Sequence, residues 1–254
     1  MPSVIKFIYG LIVGLFFSFL LIFLFNPQIN ERSISNYLSK NPEKIDTVSD
    51  IVEQTRRSVI RSQQIQIIRE NSSFFENQKF YIGNPKGSKV IYEFFDYNCG
   101  FCKRVFSDLM DLISENEDVK IVFIELPVLG QSSLLASKAA YEAFKEGKYF
   151  AMHQKLINHR GKITIEDIRF FAEEINIDPE LLISNINSSD IGFIEENYRI
   201  ADKLNINGTP TFIIGNEIIP GAIDKASMLQ FISSYWYICF FQTIDAISYK
   251  RLDT

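Results

Sequence analysis

Two cysteines separated by two residues are the pair most able to do chemistry: Cys99-Gly100-Phe101-Cys102. Thiols at this spacing form a reversible disulfide or take part in a zinc site. The pair follows an apolar run and opens a segment with helical periodicity, so Cys99 is predicted at a helix N-terminus. There the helix dipole and unpaired N–H groups lower a thiol pKa, and the thiolate is the form that attacks disulfides. Cys102, one turn later, is predicted to be more buried and to act as the resolving thiol.

Two other segments fit a dithiol site. Gly208-Thr209-Pro210 precedes a predicted strand. A proline there is often only a turn residue, but it can hold a cis bond that aims the preceding backbone at the sulfur and at an extended substrate. Glu93 lies in an apolar run, where burial would raise its pKa and let it exchange a proton with Cys102. The alternative is a carboxylate that reaches solvent or a salt bridge. Asp96 is predicted in an exposed loop.

The elements that must position these residues alternate between strand and helix. Residues 89–95 form a near-continuous apolar run typical of a strand buried on both faces. A helix over 102–116 and a second buried strand over 120–125 complete a parallel βαβ unit. The pattern then predicts a helical block at about 131–204, a hairpin of strands 211–214 and 217–219 around Gly215-Asn216, and a helix from Asp224 to Trp236.

The N-terminus indicates export. Residues 7–25 carry no charge, and at a helical rise of about 1.5 Å per residue they would span about 28 Å, close to the hydrocarbon thickness of a bilayer. Lys6 precedes this run and favours a cytoplasmic N-terminus. We interpret residues 1–26 as a signal-anchor. A cleaved signal peptide is the alternative, although no A-x-A-like site follows.

The following residues, 27–78, are polar with helical spacing of their apolar residues. They are predicted to form a helical stalk, or a surface through which copies of the chain form a homo-oligomer. A helix packed against its own domain is the alternative. The main α/β domain is predicted at 79–236 and a C-terminal tail at 237–254.

Composition excludes several functional classes. The net charge is −5 and there is no dense Lys/Arg cluster, which argues against nucleic acid as a partner. Three cysteines are too few for a disulfide-stapled scaffold. His153 and His159 do not share a helical face well, so no metal and no other cofactor is predicted. Cys239 lies in an aromatic run and is predicted to be a buried, inert thiol.

The motifs together resemble the DsbA family of thioredoxin-fold oxidoreductases. The segment YEFFDYNCGFC (residues 92–102) and the downstream Gly-Thr-Pro are most similar to the DsbA-like branch whose dithiol follows Asp-Tyr-Asn, and the resemblance covers roughly residues 27–236. It implies a thioredoxin-like α/β fold with an inserted helical domain, in the periplasm. It also implies Cys99 as nucleophile, Cys102 as resolving thiol, Glu93 as buried acid and Pro210 as cis-proline.

The substrate and partners follow from the same resemblance. We expect exchange of disulfides with exported, cysteine-containing proteins and recycling by a membrane redox partner. Gly100, Phe101, Gly208 and Thr209 are predicted to contact the substrate. The best-known DsbA oxidases carry proline-histidine between the cysteines, and Gly100-Phe101 lacks that histidine. This difference argues against a strongly oxidising potential. Oxidation of substrate dithiols, with Cys99 forming the mixed disulfide, is nonetheless the leading hypothesis. The alternatives are an oligomeric isomerase or reductase, a non-redox peptide-binding chaperone and a zinc site.

Overall fold

The structure is a computed structural model that describes residues 14, 17, 30–189 and 191–234. The chain divides into two units, Met1–Ile60 and Arg61–Thr254. Within the described residues, no helix combines the length and the apolar character that a membrane span requires. The predicted span at 7–25 lies outside the described residues apart from Gly14 and Phe17, and Cys239 and the predicted tail also lie outside them.

The first unit is helical where it is described. Helix α1 spans Asn30–Lys40, a 3-10 turn spans Pro42–Lys44, and helix α2 begins at Ile45 and continues into the second unit, ending at Glu70. One side of α2 exposes large apolar residues at helical spacing, namely Val48, Ile51, Val52 and Val59.

A five-stranded mixed sheet forms the centre of the second unit. Its strands are β1 (Tyr81–Gly83), β2 (Lys89–Phe95), β3 (Val119–Glu125), β4 (Thr211–Ile214) and β5 (Glu217–Pro220), in the order β1-β3-β2-β4-β5. Strands β2 and β3 are parallel, with Phe95 opposite Glu125, and every other pair is antiparallel. The predicted βαβ unit and the β4–β5 hairpin are confirmed.

Helices surround this sheet and fill the connection between β3 and β4. They are α3 (Ser72–Glu76), α4 (Gly100–Glu115), α5 (Gln131–Lys145), α6 (Tyr149–Asn158), α7 (Ile165–Glu174), α8 (Pro179–Ser188), α9 (Gly192–Lys203) and α10, described over 225–234. Helices α5 to α9 form the predicted helical insertion. Their boundaries follow local capping: Thr164 and Asp167 form a capping box on α7, and Asp178 accepts from the first-turn N–H groups of α8.

Both faces of the sheet carry a hydrophobic core. On one face, Ile91, Phe95 and Phe123 pack with α4 and with the insertion. On the other face, Phe94 and Val122 pack with α9. Burial on both faces explains the near-continuous apolar runs of β2 and β3, and each such side chain contributes about 1.5–3 kcal/mol to stability.

The C-terminal part of α2 and the short α3 pack on this second face. Ile67, Ile68 and Phe75 join the core formed with α9, and the Gln64 side-chain amide donates to the Leu204 carbonyl at 3.0 Å. These residues belong to the predicted stalk of residues 27–78. Their packing corresponds to the alternative interpretation, a helix held against its own domain.

Candidate functional site

The dithiol lies at the start of α4. Cys99 is the N-cap residue with extended backbone angles, φ −75° and ψ 114°, and Cys102 lies in the first turn. Cys99 is 6% exposed and Cys102 is 1% exposed, in agreement with the predicted order of burial. Both thiols are free. Val105 and Leu109 on the inner side of α4 anchor the helix in the core, and this packing fixes the position of both sulfur atoms.

Hydrogen bonds converge on the Cys99 sulfur. The Cys99 sulfur lies 3.1 Å from the Thr209 carbonyl oxygen, to which it donates when the thiol is protonated. The hydrogen bond from the Cys102 thiol is the main cause that lowers the pKa of Cys99 to about 5. Burial opposes this shift, whereas hydrogen bonds from the Thr209 side chain and from the backbone N–H groups of Cys102 and Phe101 favour it. Cys99 is therefore a thiolate at neutral pH.

The second thiol has the opposite electrostatic environment. Burial raises the pKa of Cys102, and its hydrogen bond to Cys99 and the charge of Glu93 raise it further. Glu93 is 2% exposed and lies in β2 beside Phe123 of β3 and Phe212 of β4. Burial, followed by the charge of Cys99, raises the pKa of Glu93 well above its usual range. The predicted burial of Glu93 is confirmed, and its carboxyl can hold a proton near the dithiol.

The Gly208-Thr209-Pro210 segment lies directly beside Cys99. The Thr209–Pro210 peptide bond is cis, and the Pro210 carbonyl accepts from Gly221 N–H at 2.8 Å. Phe101, Gly208, Thr209 and Pro210 line one groove of about 620 Å³. Three of the four residues predicted to contact the substrate thus share this groove. The fourth, Gly100, lines a different cleft.

Asp96 is buried, so the prediction of an exposed loop position was wrong. It is 1% exposed, and its carboxylate accepts from Asn98 N–H at 2.7 Å, from the Ser133 hydroxyl at 2.7 Å and from Leu129 N–H at 2.9 Å. Three donors compensate for the loss of water around the charge. The Asp-x-Asn spacing is a signal that could have revealed this, because an aspartate often accepts from the N–H two residues later.

A second buried polar group escaped the sequence analysis. The Tyr97 hydroxyl lies 3.0 Å from His153 Nδ1 and 3.3 Å from Glu125 Oε1. Burial raises the pKa of Glu125 to about 8 and lowers the pKa of His153 to about 3, so both are neutral at pH 7. The His153 ring packs on Phe123 with centroids 4.3 Å apart. Within the described parts of the chain, no group of three or more His, Cys, Asp or Glu is placed to hold a metal.

Comparisons with known proteins agree with a redox-active dithiol at Cys99 and Cys102. Residues 75–234 match the family model described as thioredoxin. The chain is 31% identical to a thioredoxin-like oxidoreductase from Silicibacter pomeroyi, with a TM-score of 0.60 over 63% of this chain and 94% of that one. It is 28% identical to the thiol-disulfide exchange protein α-DsbA2 from Wolbachia pipientis, with a TM-score of 0.63 over 71% and 97% of the two chains.

Curated relatives include proteins of different length. The chain is 26% identical over 154 residues to disulfide bond formation protein D of Bacillus subtilis, covering 56% of this chain and 70% of that protein. It is also 25% identical over 154 residues to the Na(+)/H(+) antiporter NhaA 1 of a Mycobacterium species, covering 58% of this chain. The chain spans 25% of the length of that antiporter, so this similarity concerns one part of it.

Proposed function

Because the chain belongs to the thioredoxin family, in its DsbA-like branch, we propose that it is a protein-disulfide oxidoreductase that introduces or exchanges disulfide bonds in exported proteins. One observation carries this proposal: two neighbouring thiols have opposed pKa shifts at the start of α4, with the Thr209 carbonyl 3.1 Å from the Cys99 sulfur. A lowered pKa makes Cys99 a good leaving group, and a raised pKa keeps Cys102 protonated in the reduced form.

The proposed reaction transfers two electrons from the substrate to the protein. A substrate thiolate attacks Cys99 in the Cys99–Cys102 disulfide, which forms a mixed disulfide and releases Cys102 as a thiolate. Glu93 donates a proton to Cys102 because its raised pKa keeps a proton available. The second substrate thiolate then attacks the substrate sulfur of the mixed disulfide. The products are the substrate disulfide and the Cys99 thiolate, which its hydrogen bonds stabilise.

The groove beside the cis peptide bond supports a role in substrate binding. In the mixed disulfide the Cys99 sulfur no longer donates to the Thr209 carbonyl, which can then accept from a substrate N–H. An extended substrate can pair with this backbone in the manner of an added strand. Phe101, which is 55% exposed, would contact side chains next to the substrate cysteine.

The proposal is tested with a reduced peptide that contains two cysteines. The oxidised protein should convert the peptide to its disulfide, and Cys99→Ser should be inactive. When the peptide is supplied instead in its disulfide form, the Cys99 thiolate of Cys102→Ser should attack it, release one peptide thiolate and accumulate the mixed disulfide seen by mass spectrometry. Cys239→Ser is the matched control and should react at the unchanged rate. Full activity of Cys99→Ser in folding assays of a client protein would instead indicate a chaperone without redox chemistry.

For its location, we propose that residues 1–26 anchor the chain in the inner membrane and that residues 79–236 act in the periplasm, with 237–254 as a tail. The uncharged run at 7–25 supports this. A membrane redox partner would reoxidise the Cys99/Cys102 dithiol. The full chain should stay in the membrane pellet after alkaline carbonate washing, and external protease should digest it in spheroplasts. Recovery in the carbonate supernatant would contradict the anchor.

We also propose that the stalk region, within residues 27–78, brings copies of the chain together. The exposed apolar side of α2, at Val48, Ile51, Val52 and Val59, supports self-association because such a surface gains stability when covered. Light scattering on the chain from residue 27 onward should give a multiple of the subunit mass. Val48→Glu/Val52→Glu should reduce that mass to one subunit, and a monomeric wild type would refute the proposal.

A further inference from the structure

A cleft of about 1070 Å³ adjoins the dithiol and is separate from the groove at the cis peptide bond. Asn98 and Gly100, which flank Cys99, line it together with the residues that follow α6 in the insertion. Within the described part of the chain, the two cavities share no lining residue. Gly100 lines the cleft and Phe101 lines the groove, so both cavities begin next to the reactive sulfur.

Of the described residues that line this cleft, four carry cationic side chains, Lys103, Arg104, Arg160 and Lys162, and none is Asp or Glu. This contrasts with the net charge of −5 for the whole chain. Arg104, Arg160 and Lys162 are exposed, and no carboxylate lies within 4 Å of them among the residues that the structure describes. Their positive charge is therefore available to a ligand.

Two contacts fix the positions of two of these cationic side chains. The Lys103 ammonium donates to the His159 carbonyl oxygen and so links α4 to the insertion. The Arg104 guanidinium lies over the Phe101 ring, 4.3 Å from its centroid. Among the residues that the structure describes, the groove that Phe101 lines has only uncharged lining residues. A polypeptide bound at Cys99 therefore has both an uncharged groove and a basic cleft near its cysteine.

We propose that this basic cleft binds acidic residues that flank the reactive cysteine of the substrate, so that the protein prefers cysteines in an acidic sequence context. The inference rests on the proposed function, because the cleft matters only if a peptide is bound at Cys99. An extended chain advances about 3.3 Å per residue, which brings side chains a few positions from the cysteine within reach of the cleft. Carboxylates paired with arginine form charge-assisted hydrogen bonds, and complementary charge accelerates association.

The test compares peptides with the same two cysteines and with Glu, Gln or Lys at the flanking positions. For each peptide, the rate of its reaction with the oxidised protein is divided by the rate of its reaction with hydroxyethyl disulfide. This ratio corrects for the effect of the flanking residues on the pKa of the peptide thiols. At low ionic strength the Glu peptide should react about tenfold faster than the Lys peptide. The difference should disappear in 1 M NaCl, where the Debye length is about 3 Å.

The variants identify the cleft as the source of the preference. Arg160→Gln/Lys162→Gln should lose most of the preference and keep the rate on the Gln peptide. Arg69→Gln/Lys86→Gln removes the same two charge types at exposed positions that line neither cavity, and it should keep the preference. Thermal unfolding checks that both variants are folded.

The outcomes separate the two proposals. If the wild type oxidises the Gln peptide but shows no preference for the Glu peptide, the basic cleft is not a substrate site and the proposed function stands. A preference that survives in Arg160→Gln/Lys162→Gln also overturns the inference. If no peptide is oxidised, the proposed function itself fails.

Discussion

The reactivity of Cys99 depends on the direction of hydrogen bonds rather than on a neighbouring charge. Gly100-Phe101 supplies no cation, and for this reason the sequence argues against a strongly oxidising potential. The structure places the Cys102 thiol, the Thr209 side chain and two backbone N–H groups around the sulfur, and together they lower the pKa of Cys99 to about 5. Each donor stabilises the charged form selectively, so several modest interactions replace one ionic interaction.

Thr209→Val tests this explanation at a single residue. The substitution removes a hydrogen bond to the thiolate, and such a bond is worth about 1.5–3 kcal/mol, or about one to two pKa units. The pH midpoint for alkylation of Cys99 by iodoacetamide should rise from about 5 to between about 6 and 7.

A neighbouring hydroxyl provides the control for that experiment. Thr211 donates to the Gly208 carbonyl at 2.8 Å, and it is not among the hydrogen-bond partners that shift the pKa of Cys99. Thr211→Val should therefore leave the alkylation midpoint unchanged. Equal midpoints for Thr209→Val and the wild type would show that the Thr209 hydroxyl does not stabilise the thiolate.

At the scale of elements, the loop between β2 and α4 connects the dithiol to the insertion. Asp96 accepts from the Ser133 hydroxyl in α5 and from Leu129 N–H just before it. The Asn98 side-chain amide donates to the hydroxyls of Ser132 and Ser133 at 3.1 and 2.9 Å. The residues that precede Cys99 are thus fixed by the first turn of the insertion, which makes the insertion part of the scaffold of the site.

Asp96→Asn should weaken this connection. The asparagine amide keeps one acceptor oxygen but loses the negative charge, and its NH₂ group faces a hydrogen-bond donor. We therefore expect a loss of about 2–3 kcal/mol in the free energy of unfolding. Urea unfolding measures this loss. Asp111→Asn, at an exposed position of α4, is the control and should change stability by less than about 0.5 kcal/mol. A similarly small change for Asp96→Asn would mean that the loop does not depend on the carboxylate.

The sequence predicted the elements whose pattern is local. Residues 89–95 and 120–125 are predicted as buried strands because their apolar runs fit a strand that is covered on both faces. The pair Gly215-Asn216 predicts a hairpin, and Gly215 has φ +60° in that turn. The environment of Asp96 depends on donors more than 30 residues away, and a single sequence does not specify such partners. The same limitation applies to Phe75, whose burial depends on packing near α9.

For the molecule as a whole, the thiol pKa sets the expected redox potential. Reduced forms with a more stable thiolate are stronger oxidants: a cysteine pKa near 7 accompanies about −270 mV in thioredoxin, and a pKa near 3.5 accompanies about −120 mV in DsbA. A pKa of about 5 for Cys99 lies between them. We expect an equilibrium potential of about −180 mV against glutathione, and a value below about −250 mV would identify a reductant instead.

The buried group around Glu125 should affect the stability of the whole molecule as the pH changes. Burial raises the pKa of Glu125 to about 8 from its ordinary value of 4.5, so between these values the folded state holds a proton that the unfolded state has released. Stability therefore falls as the pH rises through this range, with a slope of up to about 1.4 kcal/mol per pH unit. His153, with a pKa of about 3, acts in the opposite direction only below its usual pKa of 6.5.

Glu125→Gln should reduce this slope between pH 6.5 and 8 and should make the protein more stable than the wild type at pH 8. Urea unfolding of the disulfide form measures the effect without titration of Cys99, whose lowered pKa would otherwise add stability as the pH rises. Glu93 contributes equally to the pH dependence of stability in the wild type and in Glu125→Gln. The difference between their two slopes is therefore due to Glu125. Glu166→Gln, at an exposed position, is the control and should keep the wild-type slope. Parallel slopes for Glu125→Gln and the wild type would show that Glu125 is already ionised in the folded protein at pH 6.5.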